Sequence, residues 1–223
     1  MTEQEWGECM ACWAMLEFLR GRISARKLWQ FACASARELS RHAELGDERW
    51  ASVELAERYL EGQAPEEELK DSWFRSWFPA GEGAWGAADG VRSVTYYTMG
   101  HKATRAFAQA DPLVDAPRSQ QEDAHADAGE RVNAALLRDI VGNPFRPISV
   151  DPVWLTPTVR NLARAAYAER HLPGGDLGPR LLGVLGDALE EAGCTNADVL
   201  THLRSPGRHV RGCWAVDLLL ATR

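Results

Sequence analysis

Four side chains near the C-terminal end, Cys194, His202, His209 and Cys213, are of types that ligate zinc. A thiolate and a neutral imidazole both donate lone pairs to a borderline-soft dication. His209 and Cys213 stand four residues apart, which places them on one face of a helix. The set lacks a tight Cys-x-x-Cys knuckle, and Cys194 lies eight residues before His202. The spacing therefore favours no metal, with Cys194 and Cys213 as small buried hydrophobes and His209 hydrogen-bonded near a helix start. A second pattern is Arg204-x4-His209 at a helix entrance. Histidine as general acid–base beside a charge-stabilising arginine suits phosphodiester cleavage. The same spacing recurs between Arg37 and His42 inside a helix, so chance produces it, and no catalytic residue is assigned. Arg204, Arg208 and Arg211 also form a basic cluster with His202 and His209. Such a cluster binds a phosphate or a partner's carboxylates, or it ties its loop to the acidic helix carrying Asp187, Glu190 and Glu191. The second use is favoured, because those acids lie in the same domain.

These groups need elements to position them, and the sequence supplies helices. Thr2 and Glu5 have capping-box spacing. The run from Trp13 to Leu19 is helical up to Gly21, and Ser24 caps a helix to about Ala43 whose apolar positions recur at three and four. Asp47 caps the next, and Pro65 with three glutamates opens another that carries Leu69, Trp73 and Trp77. Residues 80–90 read as a loop, and residues 91–110 as a helix despite the strand-like Val94-Thr95-Tyr96-Tyr97. Four prolines in the sixteen residues from Gly142 to Pro157 predict an extended connector pinned by Phe145, Ile148 and Trp154. Thr156-Pro157 starts a helix, Gly193 closes the following one, and Thr195 or Asn196 caps a short third. The last helix is predicted from about His209 to Leu220. The whole reads as an all-α, compact multi-helix domain of about eight to ten helices with little or no sheet.

Its organisation is an N-terminal helical region over residues 1–110, an acidic linker or loop over 111–128, and a C-terminal helical region over 129–223. The two ends are expected to pack as one folding unit or two apposed lobes. A net charge of −7 over 223 residues argues against non-specific binding to nucleic acid. No apolar run approaches the length of a membrane span. The acidic start MTEQEWGE is unlike a signal peptide, and five scattered cysteines suit a reducing cytoplasm. There is no Walker loop, no Gly-x-Ser-x-Gly and no His-Glu-x-x-His, so no cofactor is expected.

The phrases LLRDIVGNPFRPISVDPVWLTPTV, LGDALEEAGCTNADVL and RSPGRHVRGCWAVDLLL resemble the C-terminal signature of a large paralogous family of uncharacterised proteins abundant in planctomycete bacteria. The opening MTEQEW…MLEFLRG…SARKLWQFACASAR is similar to that family's start, where the pattern is richer in cysteine and only Cys33 remains here at its centre. Relatives in that family can carry Cys at the position of Leu203. The resemblance implies membership and carries no activity with it. Separately, the Arg-x4-His spacing resembles the catalytic motif of HEPN ribonucleases. The function expected from these residues is a cytoplasmic, non-enzymatic helical module that binds another protein. Trp77 and Trp85 are its aromatic anchors, and Arg204, Arg208 and Arg211 are further binding candidates. The alternatives are a nucleic-acid-binding or HEPN-like ribonuclease built on Arg204 and His209, and a small structural zinc protein.

Overall fold

The computed structural model describes residues 1–39, 47–77 and 120–220. Among these the protein is all-α, with ten α-helices and no strand. The expected loop over 80–90, the helix over 91–110, and Trp85 lie outside the described residues. Trp77 ends a helix, and its side chain is also outside them.

The chain divides into two compact units, Met1–Ala135 and Leu136–Arg223. The first holds α1 (Glu3–Glu8), α2 (Cys12–Leu19), α3 (Ala25–Leu39), α4 (Asp47–Leu60), α5 (Glu66–Trp77) and most of α6 (Gln120–Val141). Residues 120–128, whose acidic composition suggests a linker, lie within α6. Thr2 and Glu5 form the reciprocal capping box that their spacing predicts, each side chain taking the other's backbone N–H. In this unit α3 packs on α4 and α4 on α5. Met15, Leu19, Phe31, Val53, Ala56 and Leu69 are fully or nearly fully buried. Inside it the Arg37 guanidinium forks onto Glu57, with Nε to Oε1 at 2.7 Å and Nη2 to Oε2 at 2.8 Å.

The second unit begins in the last turns of α6 and contains α7 (Pro157–Ala168), α8 (Pro179–Glu191), α9 (Ala197–Arg204) and α10 (Trp214–Leu220). Their boundaries follow from local chemistry. Thr156 accepts a hydrogen bond from the Val159 N–H at 3.2 Å, and Pro157 fills the first helical position, where no N–H is needed. Asn196 caps α9 through the Val199 N–H at 3.1 Å. After α8, Gly193 takes φ +87°, a left-handed turn that a side chain would oppose. The apolar faces of these helices share one core of Val159, Ala163, Leu182, Leu185, Leu189, Val199, Leu203, Val216 and Leu219. Each large aliphatic side chain buried there contributes roughly 1.5–3 kcal/mol.

Two expectations are corrected in this unit. Phe145 does not pin the connector and is 38% exposed, whereas Ile148 and Trp154 pack against the core. The final helix starts at Trp214, not near His209, so residues 205–213 form a loop. The reason lies in its hydrogen bonds. His209 gives its carbonyl to the Leu177 N–H at 2.8 Å, Val210 bridges to Asp176, and Gly212 sits at φ +98°. A helix can use none of these.

Gly142 ends α6 at φ +74°, and a Cβ there would lie 2.9 Å from Cγ of the Trp214 ring. Gly142→Ala is expected to destabilise the protein by about 1–3 kcal/mol, from left-handed strain together with the displaced indole. Urea unfolding followed by circular dichroism measures it. A cost near zero would show that the Trp214 ring yields freely.

Candidate functional site

The loop at 205–213 carries two of the chemistry-bearing groups into the interior, and α6 and α9 supply the others. Asp139 lies on the buried side of α6, 4% exposed, among Leu136, Leu137 and Ile140. Its Oδ2 accepts the backbone N–H of Val210 at 2.8 Å, which fixes the carboxylate and leaves Oδ1 facing the rings. His209 Nδ1 lies 2.8 Å from that Oδ1. On the far side of the same ring, Nε2 faces the Ser205 hydroxyl at 3.1 Å and the Ser205 carbonyl at 3.4 Å. From the last turn of α9, His202 Nε2 reaches Asp139 Oδ1 at 3.2 Å and Cys213 Sγ at 3.2 Å. Cys213 Sγ also lies 4.0 Å from His209 Nδ1. One ligating atom from each of Asp139, His202, His209 and Cys213 falls within 4.8 Å of all the others.

Packing holds the rings in place. His202 meets His209 edge-on, with centroids 4.7 Å apart, and lies against Trp214 at 4.8 Å. Behind Cys213, Tyr167 Oη donates to Asp217 Oδ1 at 2.6 Å and accepts the Gly212 N–H at 3.2 Å. Burial and the neighbouring Asp217 charge push the Tyr167 hydroxyl well above its ordinary range, so it stays a neutral donor.

The electrostatics centre on Asp139. Burial alone would raise its pKa, but the hydrogen bonds and charge of His202 and His209 outweigh burial and hold it below the usual carboxylate value. His209 mirrors this, with burial lowering its pKa and the Asp139 hydrogen bond raising it to a net increase. Burial, then the Asp139 charge, pushes the Cys213 thiol well above its usual range. A buried thiol of that kind is a poor nucleophile. The geometry agrees, because a Cys–His–Asp relay uses one ring nitrogen toward the thiol and the other toward the acid. Here His209 presents Nδ1 to both. The arrangement is thus suited to holding something fixed at a shared point.

The sequence candidates separate accordingly. His202, His209 and Cys213 come together, and Cys194 does not: it is 2% exposed in the apolar core with Leu189 and Val199. Asp139 joins the set from 63 residues before His202, a partner that spacing within the C-terminal segment does not reveal. The one sequence signal is an acid at helical spacing among residues 136, 137 and 140 of an apolar face. The three arginines disperse. Arg204 turns to α8, pairing with Asp187 at 2.7 Å and with Glu190. Arg208 binds Asp176 at 2.9 Å, and the Arg211 guanidinium lies 5.4 Å over the Tyr167 ring. Among the described residues no other set of three His, Cys or carboxylate groups converges as the Asp139 cluster does.

Comparison with protein-family models, curated proteins and solved structures gives no match.

Proposed function

We propose that this chain is a non-enzymatic helical module that binds another protein. The observation carrying the reading is where its unburied apolar side chains sit. Of the five exposed large apolar side chains among the described residues, four belong to the second unit, Val153 at 69%, Leu172 at 63%, Val184 at 46% and Phe145 at 38%, and one, Met10, to the first. Val153 follows Pro152, and Leu172 precedes Pro173. A proline next to an apolar contact restricts the backbone in advance, so docking costs less ordering entropy. Two observations weigh against the competing ribonuclease reading. Both ring nitrogens of His209 face protein groups, and the Arg204 charge is directed at Asp187 and Glu190. The cytoplasmic assignment is supported by five free thiols, and no helix among the described residues is long and apolar enough to cross a membrane. Membership of the planctomycete family is part of the same proposal and is supported by the phrases quoted above.

The test is photocrosslinking in the native cell, with a photoreactive residue at Val153 or Leu172 and, as control, at Glu191. The expected outcome is a discrete crosslinked protein at the first two positions and none at the third, lost on adding Val184→Asp. Equal crosslinking at all three positions would sink the reading. In parallel, labelled RNA incubated with the purified protein is expected to stay intact. Arg204→Ala is expected to leave the melting temperature essentially unchanged, because its ion pairs are solvent-screened. Cleavage that disappears in His209→Ala would restore the ribonuclease alternative.

A further inference from the structure

We propose that Asp139, His202, His209 and Cys213 form a mononuclear structural zinc site in the second unit. The first argument is shape. A tetrahedral zinc with bonds of about 2.0 Å to nitrogen and oxygen and about 2.3 Å to sulfur sets its ligand atoms roughly 3.3–3.8 Å apart. The separations here are 2.8 Å from His209 to Asp139, 3.2 Å from His202 to Asp139, 3.2 Å from His202 to Cys213 and 4.0 Å from His209 to Cys213. They bracket that range, and one ligating atom of every residue lies within 4.8 Å of the rest.

The second argument is the shell behind the ligands. The Ser205 carbonyl, which only accepts, faces Nε2 of His209 at 3.4 Å and is placed to take that nitrogen's hydrogen. A metal that displaces the Nδ1 proton, now held by Asp139, would find the Nδ1 lone pair facing the shared point on the same side as Asp139 Oδ1. Zinc-bound histidines characteristically donate their other nitrogen to a carbonyl or carboxylate in this way. Asp139 is set similarly: the Val210 N–H occupies Oδ2, leaving Oδ1 as a single, aimed donor. Without metal, ring hydrogens of His209 and His202 satisfy Asp139 Oδ1. Zinc would displace those protons and the Cys213 proton and draw on all four residues at once.

The third argument is selection. One thiolate, two imidazoles and one carboxylate suit zinc, whereas magnesium and calcium take oxygen cages. The two anionic ligands cancel the charge of Zn²⁺, which permits deep burial. His209 and Asp139 are 3% and 4% exposed and Cys213 is fully buried, so four protein donors close the site to substrate and the role is structural. Binding would tie α6, α9, the 205–213 loop and the start of α10 at one point. The no-metal reading of the sequence rested on the missing Cys-x-x-Cys knuckle and the distance of Cys194 from His202; here Asp139, not Cys194, completes the set.

The experiment uses full-length protein stripped with a chelator, dialysed, and titrated separately with Zn²⁺ and Co²⁺. Elemental analysis is expected to give about one zinc per chain. Cobalt is expected to give the visible bands of a tetrahedral ion and a near-ultraviolet thiolate-to-cobalt band. Cys213→Ala should abolish the thiolate band, and Cys194→Ala should retain it. Because Cys213 is fully buried and its truncation can cost the fold, His202→Gln, at the rim of the site, is measured beside it with circular dichroism. Its zinc affinity should fall by at least about tenfold with helicity retained. The proposal is overturned by failure of the stripped wild-type protein to bind either ion, or by a thiolate band that survives Cys213→Ala or vanishes in Cys194→Ala. Unchanged affinity in His202→Gln, or iron or copper in place of zinc after native expression, also overturns it.

Discussion

Glu57→Ala is expected to destabilise the N-terminal unit by about 3–5 kcal/mol, the range for removing one member of a buried ion pair. Arg37 and Glu57 are each 6% exposed, and the guanidinium meets the carboxylate through two parallel bonds of 2.7 and 2.8 Å. The Arg37 guanidinium, carried by α3, also lies 5.4 Å over the Trp50 ring, so two residues of α4 hold it. Burial disfavours its charge, yet the Glu57 hydrogen bond and charge outweigh burial and raise its pKa. Alanine removes that compensation while the charge stays inside. Glu57→Gln keeps the shape and one acceptor, and should cost less. The double change Arg37→Met with Glu57→Leu removes both charges and should recover much of the loss. Urea unfolding of the four proteins decides it. A cost under about 1 kcal/mol for Glu57→Ala, or a double variant as unstable as the single one, would show that the pair is solvated and contributes little.

The helical architecture was legible because it is written in local chemistry. Thr2 with Glu5, Thr156 with Pro157, Asn196 and Gly193 each act within four residues, and each behaves as its type and spacing predict. The site was only half legible. His202, His209 and Cys213 were visible as ligand types, but placing His209 and Cys213 on one helical face used the wrong backbone. Bonds from residues 176 and 177, together with Gly212, hold that segment as a loop, and no local periodicity reports them. Asp139 was missed for a related reason: its partners His209 and Val210 lie 70 and 71 residues away. Cys194 misled in the opposite sense, since a thiol suits a metal and an apolar core equally well. The arginines show the same limit. Their clustering in sequence says nothing of Asp176, Asp187 and Glu190, which draw two of them apart.

Asp139→Ala is expected to cost about 3–5 kcal/mol in metal-free protein, because several buried donors rely on one carboxylate. The Val210 N–H, 2.8 Å from Oδ2, loses its acceptor, and so do the rings of His209 and His202 at Oδ1. An alanine methyl leaves those polar groups facing a void too apolar for compensation. Asp139→Asn separates the hydrogen-bonding role from the charge. Its amide oxygen can still accept from Val210, and its NH₂ can donate to Nδ1 of a neutral His209 whose hydrogen sits on Nε2. In chelator the expected order of stability is therefore wild type, then Asn, then Ala. Zinc should widen the gap between wild type and Asn, since an amide is a weak zinc ligand, while leaving both variants little changed. Urea unfolding of the three proteins, with chelator and with a slight excess of zinc, tests both parts. Equal stability of Asn and Ala in chelator would remove Asp139 as the acceptor that organises the 205–213 loop. A zinc-dependent gain in Asn as large as in wild type would remove it as a ligand.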